Sequence, residues 1–510
     1  MPKYYITTAI PYASAKPHIG NTYEAVLTDA IARYRKLRGD DVFLLTGMDE
    51  HGQKIQRMAE KEGFAPQALV DDITGALRRN WDLCDVEYDD FIRTTEPRHK
   101  AIVQKIFKKL YDQGDIYKGS YEGWYCVPDE AFFTDTQAGE AHVCPDCGRP
   151  LEKASEEAYF FRLSHYGPRL AEHIEKHPGF IQPDSRRNEM VEGFVKAGLQ
   201  DFCVSRTSFT WGVPVDFDPG HVMYVWVDAL SNYITALGYD PDGNHGGRFQ
   251  KYWPCDVHVL GKDILRFHTL YWPAMLMALG LELPRQIFAH PWLLMNHDKM
   301  SKSLGNVIYA EEFCEKYGVD AVRYYLLREM PYAQDGSITR EQFIARANTD
   351  LANNLGNLLS RTAAMGEKYF GGALPLPDCA AADDYTEALD SLWEEVRAGY
   401  EAAMDILHTQ AAMQEVFRLL DRANLYIDQT MPWALGKDSG KKPELCRVLY
   451  NLCQALRRAS ILLYPAMPRA ARALRGQLGL PETPGWDEAS PGGYMVRKGP
   501  ILFPRIEVPI

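Results

Sequence analysis

Thr8-Ala9-Ile10-Pro11-Tyr12, running on to Pro17-His18-Ile19-Gly20-Asn21, is the stretch from which the fold can be read. The residues before it, Lys3-Tyr4-Tyr5-Ile6-Thr7, are β-branched and aromatic and read as a buried strand. From Asn21 onward Tyr23, Val26, Leu27, Ala30, Ile31, Tyr34 and Leu37 recur three or four apart, the period of an amphipathic helix packed on a sheet. A helix that opens directly after a strand is an anion site, because its free N–H groups and the positive end of its dipole face whatever lies above the sheet. His18 and Asn21 add side-chain donors there, and Gly20, without a Cβ, lets a base or phosphate approach the backbone.

Far downstream runs Asn296-His297-Asp298-Lys299-Met300-Ser301-Lys302-Ser303-Leu304-Gly305-Asn306. Lys299 and Lys302, three apart among Ser and Gly, form a cationic loop able to fold over a triphosphate. Alone, His18-Ile19-Gly20-Asn21 fits a surface turn with an incidental histidine, whereas Lys299-Met300-Ser301-Lys302-Ser303 is a fixed pentapeptide. With both motifs in this order, the chain resembles the class I aminoacyl-tRNA synthetases, and closely the methionyl-tRNA synthetases, over nearly all its 510 residues.

The length allows two to four domains. A hydrophobic content of 46% and a charged content of 25% are those of an ordinary globular protein. The chain enters a strand at once, without the basic segment and apolar run of a secretory signal. No apolar run reaches the roughly 20 residues of a membrane helix, so no membrane partner is expected. Ten cysteines, mostly scattered singly, point to a reducing cytoplasm and one local metal site. The net charge of −13 sits awkwardly with a nucleic-acid partner. Basic residues nevertheless cluster at Arg33 to Lys36, Lys437 to Lys442, Arg457-Arg458 and Arg469 to Arg475, each of which reads first as a solvated helix face.

The expected architecture is α/β: a Rossmann-like parallel-sheet catalytic domain interrupted by a zinc-knuckle connecting domain, followed by an all-α anticodon-binding helix bundle. The divisions fall at 1–116 and 221–292 for the two halves of the catalytic domain and 117–220 for the insertion. Residues 293–350 hold the lysine loop and a stem-contact region, and 351–510 the bundle with a C-terminal arm. Asp41 to Leu45 reads as a second strand, whose exit loop Met48-Asp49-Glu50-His51-Gly52 borders the crevice at the carboxyl ends of the sheet. Asp49 there fits either an ammonium ligand or the N-cap of the helix near Gln53. His221 to Leu230 reads as a strand running into a helix with Tyr233, and Asp256 to Leu260 as another strand, before a helix holding Ile264, His268 and Trp272. From about Asp350 strand signals vanish and helical spacing runs to about Gly479.

Within the insertion, Cys144-Pro-Asp-Cys147 has knuckle spacing, and with Cys126 and Asp129 it makes a four-ligand set for one structural Zn2+. Related synthetases often have cysteine at the place of Asp129, which fits either a carboxylate ligand or a turn cap.

The resemblance implies a two-step reaction, activation of L-methionine by ATP with Mg2+ and transfer to tRNA(Met), initiator tRNA included. It places His18, Gly20, Asn21, Lys299, Ser301 and Lys302 on ATP. Periodicity alone makes Trp226, Tyr233 and Trp272 core residues; the resemblance places them in the methionine pocket with Ala9, Ile10, Tyr12, Asp49, Ala229, Leu230, Ile264 and His268. It matches Asn357, Arg361 and Trp433 to the anticodon readers, for which stacking and hydrogen bonding are suited. The insertion is too short for the editing domain of the isoleucyl, valyl and leucyl relatives. The chain stops soon after the bundle, without the extra C-terminal oligonucleotide-binding domain by which some relatives dimerise, so a monomer is expected. A nucleotidylyltransferase that never touches RNA leaves the bundle idle, and a non-catalytic tRNA-binding protein leaves both motifs unexplained.

Overall fold

The computed structural model describes residues 1–129, 131–133, 135–145, 147–295, 298–299, 308–377 and 384–507. They form two compact units, one made of 1–17, 41–82 and 86–290, the other of 18–40, 83–85 and 291–510.

The first unit is built on a six-stranded sheet. Strands β1 (Lys3–Thr7), β2 (Asp41–Met48) and β3 (Asp90–Arg93) are joined by Val257–Gly261, Gln286–His290 and Ile181–Gln182, and every pairing is parallel. The strand order β3-β2-β1, then 257–261, then 286–290, puts the β-branched and aromatic β1 at the centre, where Tyr5, Ile6 and Thr7 are fully buried. The sequence makes β1, β2 and the 257–261 strand legible, but not β3, Gln286–His290 or the two-residue Ile181–Gln182.

The strand expected from His221 is nearly absent. Only Val222–Met223 pairs, antiparallel to Ser205–Arg206 and outside the parallel sheet, and a helix starts at Val225. The extended backbone here is used against the connecting segment, with Met223 N–H on Val213 O and Tyr224 N–H on Val204 O. Tyr224 O then accepts from Val227 and Asp228, which turns the β-branched run into the helix Val225–Leu230. Tertiary partners thus override local propensity. The helix expected after 257–261 is likewise irregular: a 3-10 turn Lys262–Ile264, a π-helical turn Phe267–Tyr271, then α-helix Trp272–Leu279. The connecting segment is an antiparallel four-stranded sheet whose long strands Ile116–Cys126 and Glu152–Phe161 carry the cysteine knuckle at one end.

In the second unit, helix α1 (Ile19–Leu37) is buried along most of its length. Asp29 on it accepts from Arg33 Nε at 2.8 Å and from Arg323 Nη2 at 2.6 Å, all three side chains being almost completely inaccessible. Arg323 also donates to Cys84 O, Pro465 O and Ala466 O, so one guanidinium fastens helix Val319–Glu329 to three other segments. The long helices Asn357–Phe370, Asp384–Asp405, Thr409–Thr430 and Lys442–Leu463 make the bundle. The bundle is not purely helical, because Ala373–Pro375 pairs with Gly493–Met495. Gly371 and Gly372, both at positive φ, turn the chain into that strand, and a Cβ on Gly372 would stand 2.6 Å from Val496 O. Among the described residues the C-terminal arm after Gly499 does not pair as a strand; Asn348 clamps it by hydrogen bonds to both N–H and C=O of Ile506.

Candidate active site

The backbone after β1 continues as a ledge at the carboxyl end of the sheet. Thr8 N–H bonds Leu45 O and Ala9 N–H bonds Val259 O, so Ala9 lies between two neighbouring strands. Tyr12 and Asp49 then form an isolated parallel bridge, with Asp49 N–H on Pro11 O and Ala13 N–H on Asp49 O. The two loops expected to border one crevice are therefore joined, and Asp49 is not the N-cap of the helix Gln53–Glu62, whose cap residue is Gly52.

Around this ledge, within the same unit, stand the expected aromatic residues. Trp226 stacks on Phe267 at 3.8 Å and meets His268 edge-on at 6.1 Å. Tyr233 lies against His258, His268 and Trp272. Ala229 and Leu230 are buried on the helix that carries Trp226, and Ile10, Trp226 and Ile264 are partly buried against the same core. Trp272 is fully buried and donates its indole N–H to His258 Nε2. Because that nitrogen accepts, Nδ1 of His258 carries the proton and donates to Thr7 Oγ1 at 2.8 Å. The same logic fixes His268: Nδ1–H donates to Ile264 O at 3.0 Å and Nε2 accepts from the Tyr233 hydroxyl at 2.7 Å. Burial pulls the His268 pKa down to about 4 and that of His258 well below its ordinary value, so both rings are neutral.

Sequence reasoning missed Phe267 and a buried polar chain. Asp228 accepts from His51 Nδ1 at 2.6 Å and His99 Nε2 at 2.8 Å, and His99 Nδ1 meets Thr235 Oγ1 at 2.7 Å. Burial alone would raise the Asp228 pKa, but the two histidines outweigh it and bring it down to about 2. The available signal was position: His51 and Asp228 each follow an expected pocket residue, Asp49 and Trp226, by two.

In the second unit His18 is the N-cap of α1, not a residue of its first turn. Its Nδ1 accepts from Gly20 N–H at 3.0 Å, while its own N–H donates to Asn21 Oδ1 at 3.1 Å, a reciprocal cap. Ile19 N–H donates to Ile308 O and Asn21 N–H to His18 O. The Ile19, Gly20 and Asn21 N–H groups expected to be free for an anion are therefore taken, so an anion here would meet side-chain donors and the positive end of the helix dipole. Ile308 lies six residues after Lys302, so this bond ties the end of the lysine segment to the start of α1. Ser301 and Lys302 lie outside the described residues, as does the side chain of Lys299, whose backbone pairs with Leu294.

Cys126, Asp129, Cys144 and Cys147 converge, their ligand atoms all within 4.8 Å of one another. Cys126 Sγ is 3.6 Å from Cys147 Sγ and 3.2 Å from Asp129 Oδ2, and Cys144 Sγ is 3.1 Å from the same oxygen. Two thiolates on a tetrahedral zinc stand about 3.8 Å apart, so the donor set fits that ion, and four protein ligands would close it to substrate. Gly148 N–H on Cys144 O and Cys144 N–H on Arg149 O shape the knuckle.

On the bundle, Asn357 is exposed, the Arg361 guanidinium lies 5.5 Å from the Trp433 ring centre, and Trp433 is 40% exposed. Pro432 begins a short helix after Met431 at positive φ, which presents the indole outward. Several clustered arginines serve the fold: Arg33, Arg457 and Arg475 are buried, the last two on Glu488, and Arg469 pairs with Asp85.

Residues 4–363 match the family model for class I tRNA synthetases (M). A methionine-tRNA ligase of Clostridium tetani is 53% identical over 510 residues, covering 99% of this chain and 79% of the relative. One from Bacillus subtilis is 49% identical over 520 residues, covering 99% and 78%. The solved Mycobacterium tuberculosis methionyl-tRNA synthetase in complex with methionyl-adenylate superposes with a TM-score of 0.95 at 40% identity, covering 99% of this chain and all of that one.

Proposed function

The chain belongs to the methionyl-tRNA synthetases of class I, and from that premise we propose how its residues divide the work. The enzyme activates L-methionine with ATP to methionyl-adenylate and pyrophosphate, then transfers methionine to the terminal adenosine of tRNA(Met) for initiation and elongation. The carboxylate of methionine is already ionised and attacks the α-phosphate in line, so positioning and charge stabilisation replace a general base.

In this reading Asp49 takes the ammonium group at the Tyr12–Asp49 bridge, and Ala9 and Ile10 line the ledge. Trp226, Tyr233 and Trp272, with Ala229, Leu230, Ile264 and His268, enclose the side chain. A thioether is unbranched and polarizable, which suits aromatic walls. The Tyr233–His268 bond carries this assignment: burial keeps the imidazole neutral and the bond holds the hydroxyl in one place, so the pocket presents a dipole and no charge to an uncharged side chain. His18 and Asn21 bind phosphate through Nε2–H and Nδ2, with Gly20 leaving room for the adenine. Lys299, Ser301 and Lys302 stabilise the departing pyrophosphate, Lys302 contributing most. Mg2+ accompanies the ATP as counter-charge. Cys126, Cys144, Cys147 and Asp129 hold a structural Zn2+ that stabilises the knuckle and supplies no chemistry. Asn357, Arg361 and Trp433 read the anticodon. The enzyme works in the cytoplasm as a monomer; among the described residues no helix is long and apolar enough to cross a membrane.

Trp433→Ala tests the division of labour. Base stacking is worth about 1–3 kcal/mol, so tRNA(Met) KM should rise about 5- to 150-fold while tRNA-independent pyrophosphate exchange keeps its rate. Equal loss in both assays would remove the anticodon assignment.

A further inference from the structure

The chain Thr235–His99–Asp228–His51 joins four segments of the first unit. His99, completely buried on helix Pro97–Asp112, lies between Asp228 on helix Val225–Leu230 and Thr235 on helix Asn232–Thr235. Those two short helices carry Trp226, Ala229, Leu230 and Tyr233, and neither has a side-chain cap to fix its start. Asp228 then reaches to His51, in the loop that carries Asp49. That loop is held on its other sides as well, since Trp211 Nε1–H donates to Glu50 O at 2.6 Å and Gly52 N–H to Trp211 O. Every polar atom of the Asp228 carboxylate is thus spent on linking elements, at 1% exposure, where a charge is costly unless it is held by donors.

We infer that Asp228, acting through His51 and His99, is a positioning residue for methionine binding: it sets the loop of Asp49 against the helices that bear the aromatic wall. The inference rests on the methionine-pocket reading above. A rigid aromatic wall and an ammonium-binding carboxylate recognise one amino acid only at a fixed separation, and within this unit the Asp228 carboxylate bonds both parts. His51 and His99 serve as oriented donors, and neither is assigned a proton transfer.

The experiment measures methionine-dependent pyrophosphate exchange by His51→Ala, His51→Asn, Asp228→Asn and, as a control on the pocket, Trp226→Ala, with KM for methionine and for ATP determined separately. Asparagine places an amide N–H where the imidazole has Nδ1–H, so it preserves the link that alanine removes. The expected result is a methionine KM raised about tenfold or more in His51→Ala and Asp228→Asn, with ATP KM unchanged, and a return toward the parent value in His51→Asn. If His51→Ala does not fold, the contrast between Asp228→Asn and His51→Asn decides. Equal effects of His51→Ala and His51→Asn, or equal shifts in both KM values, would overturn the inference. An unchanged methionine KM in Trp226→Ala would instead remove the pocket reading; a raised one beside unaffected His51 and Asp228 variants would leave the pocket and refute the positioning role.

Discussion

Acidification should weaken the first unit through His268, and the size of the effect follows from its surroundings. The ring is buried, with Nδ1–H committed to Ile264 O and Nε2 to the Tyr233 hydroxyl, and its pKa falls from 6.5 to about 4. Between those values the unfolded chain binds a proton that the folded one does not, so stability is full above pH 6.5 and declines as the pH falls toward 4. A shift of 2.5 units corresponds to about 3 kcal/mol, an order-of-magnitude figure for so buried a group. His258 contributes in the same direction. Asp320 in the second unit opposes it: burial raises its pKa to about 6, so it gains stability as the pH falls from 6 toward 3.8. The clean quantity is therefore a difference between proteins. His268→Gln removes the titrating ring and keeps a neutral polar side chain. Denaturant unfolding followed by tryptophan fluorescence at steps from pH 7.5 to 4 should show the wild-type advantage shrinking by about 3 kcal/mol. An advantage constant to within about 0.5 kcal/mol would refute a neutral, proton-excluding His268.

Asp29→Ala leaves the Arg33 and Arg323 guanidinium groups buried without their shared carboxylate and should cost about 3–5 kcal/mol in chemical denaturation; a loss under about 1 kcal/mol would contradict the buried pairing. Stripping metal with a chelator, or Cys144→Ser, should raise amide exchange across residues 126–151 yet change methionine-dependent pyrophosphate exchange by less than about threefold, because a closed site has no position for substrate. Gly47→Ala would place a Cβ 2.1 Å from Ile92 O and 2.9 Å from Ile10 Cγ2, costing at least about 1–3 kcal/mol and raising methionine KM through the displaced Ile10; a variant with unchanged melting and KM would show that β2 has slack there.

What the sequence revealed depended on whether local pattern or distant partners decided the outcome. β1 is legible because its own residues are buried on both faces, and α1 because its apolar spacing persists for five turns. The four donors of the candidate metal site are legible because two stand in a knuckle, Cys126 ends the strand Ile116–Cys126, and Asp129 follows in the turn after it. His221 to Leu230 is not: its composition favours a strand, while Val204 and Val213 use up its extended backbone and Tyr224 O starts a helix. The π-helical turn that carries His268 has no sequence signature of its own. Nor does spacing show that the backbone N–H groups opening α1 find partners at Ile308 and His18. The polar chain through Asp228 unites residues 51, 99, 228 and 235, a separation that no local periodicity records.

The most direct test of the account is ATP–pyrophosphate exchange across the proteinogenic amino acids, with the parent protein and Lys302→Ala. Exchange should be driven by methionine and largely lost in the variant. Exchange driven by another amino acid, or methionine-driven exchange that Lys302→Ala leaves intact, would contradict it.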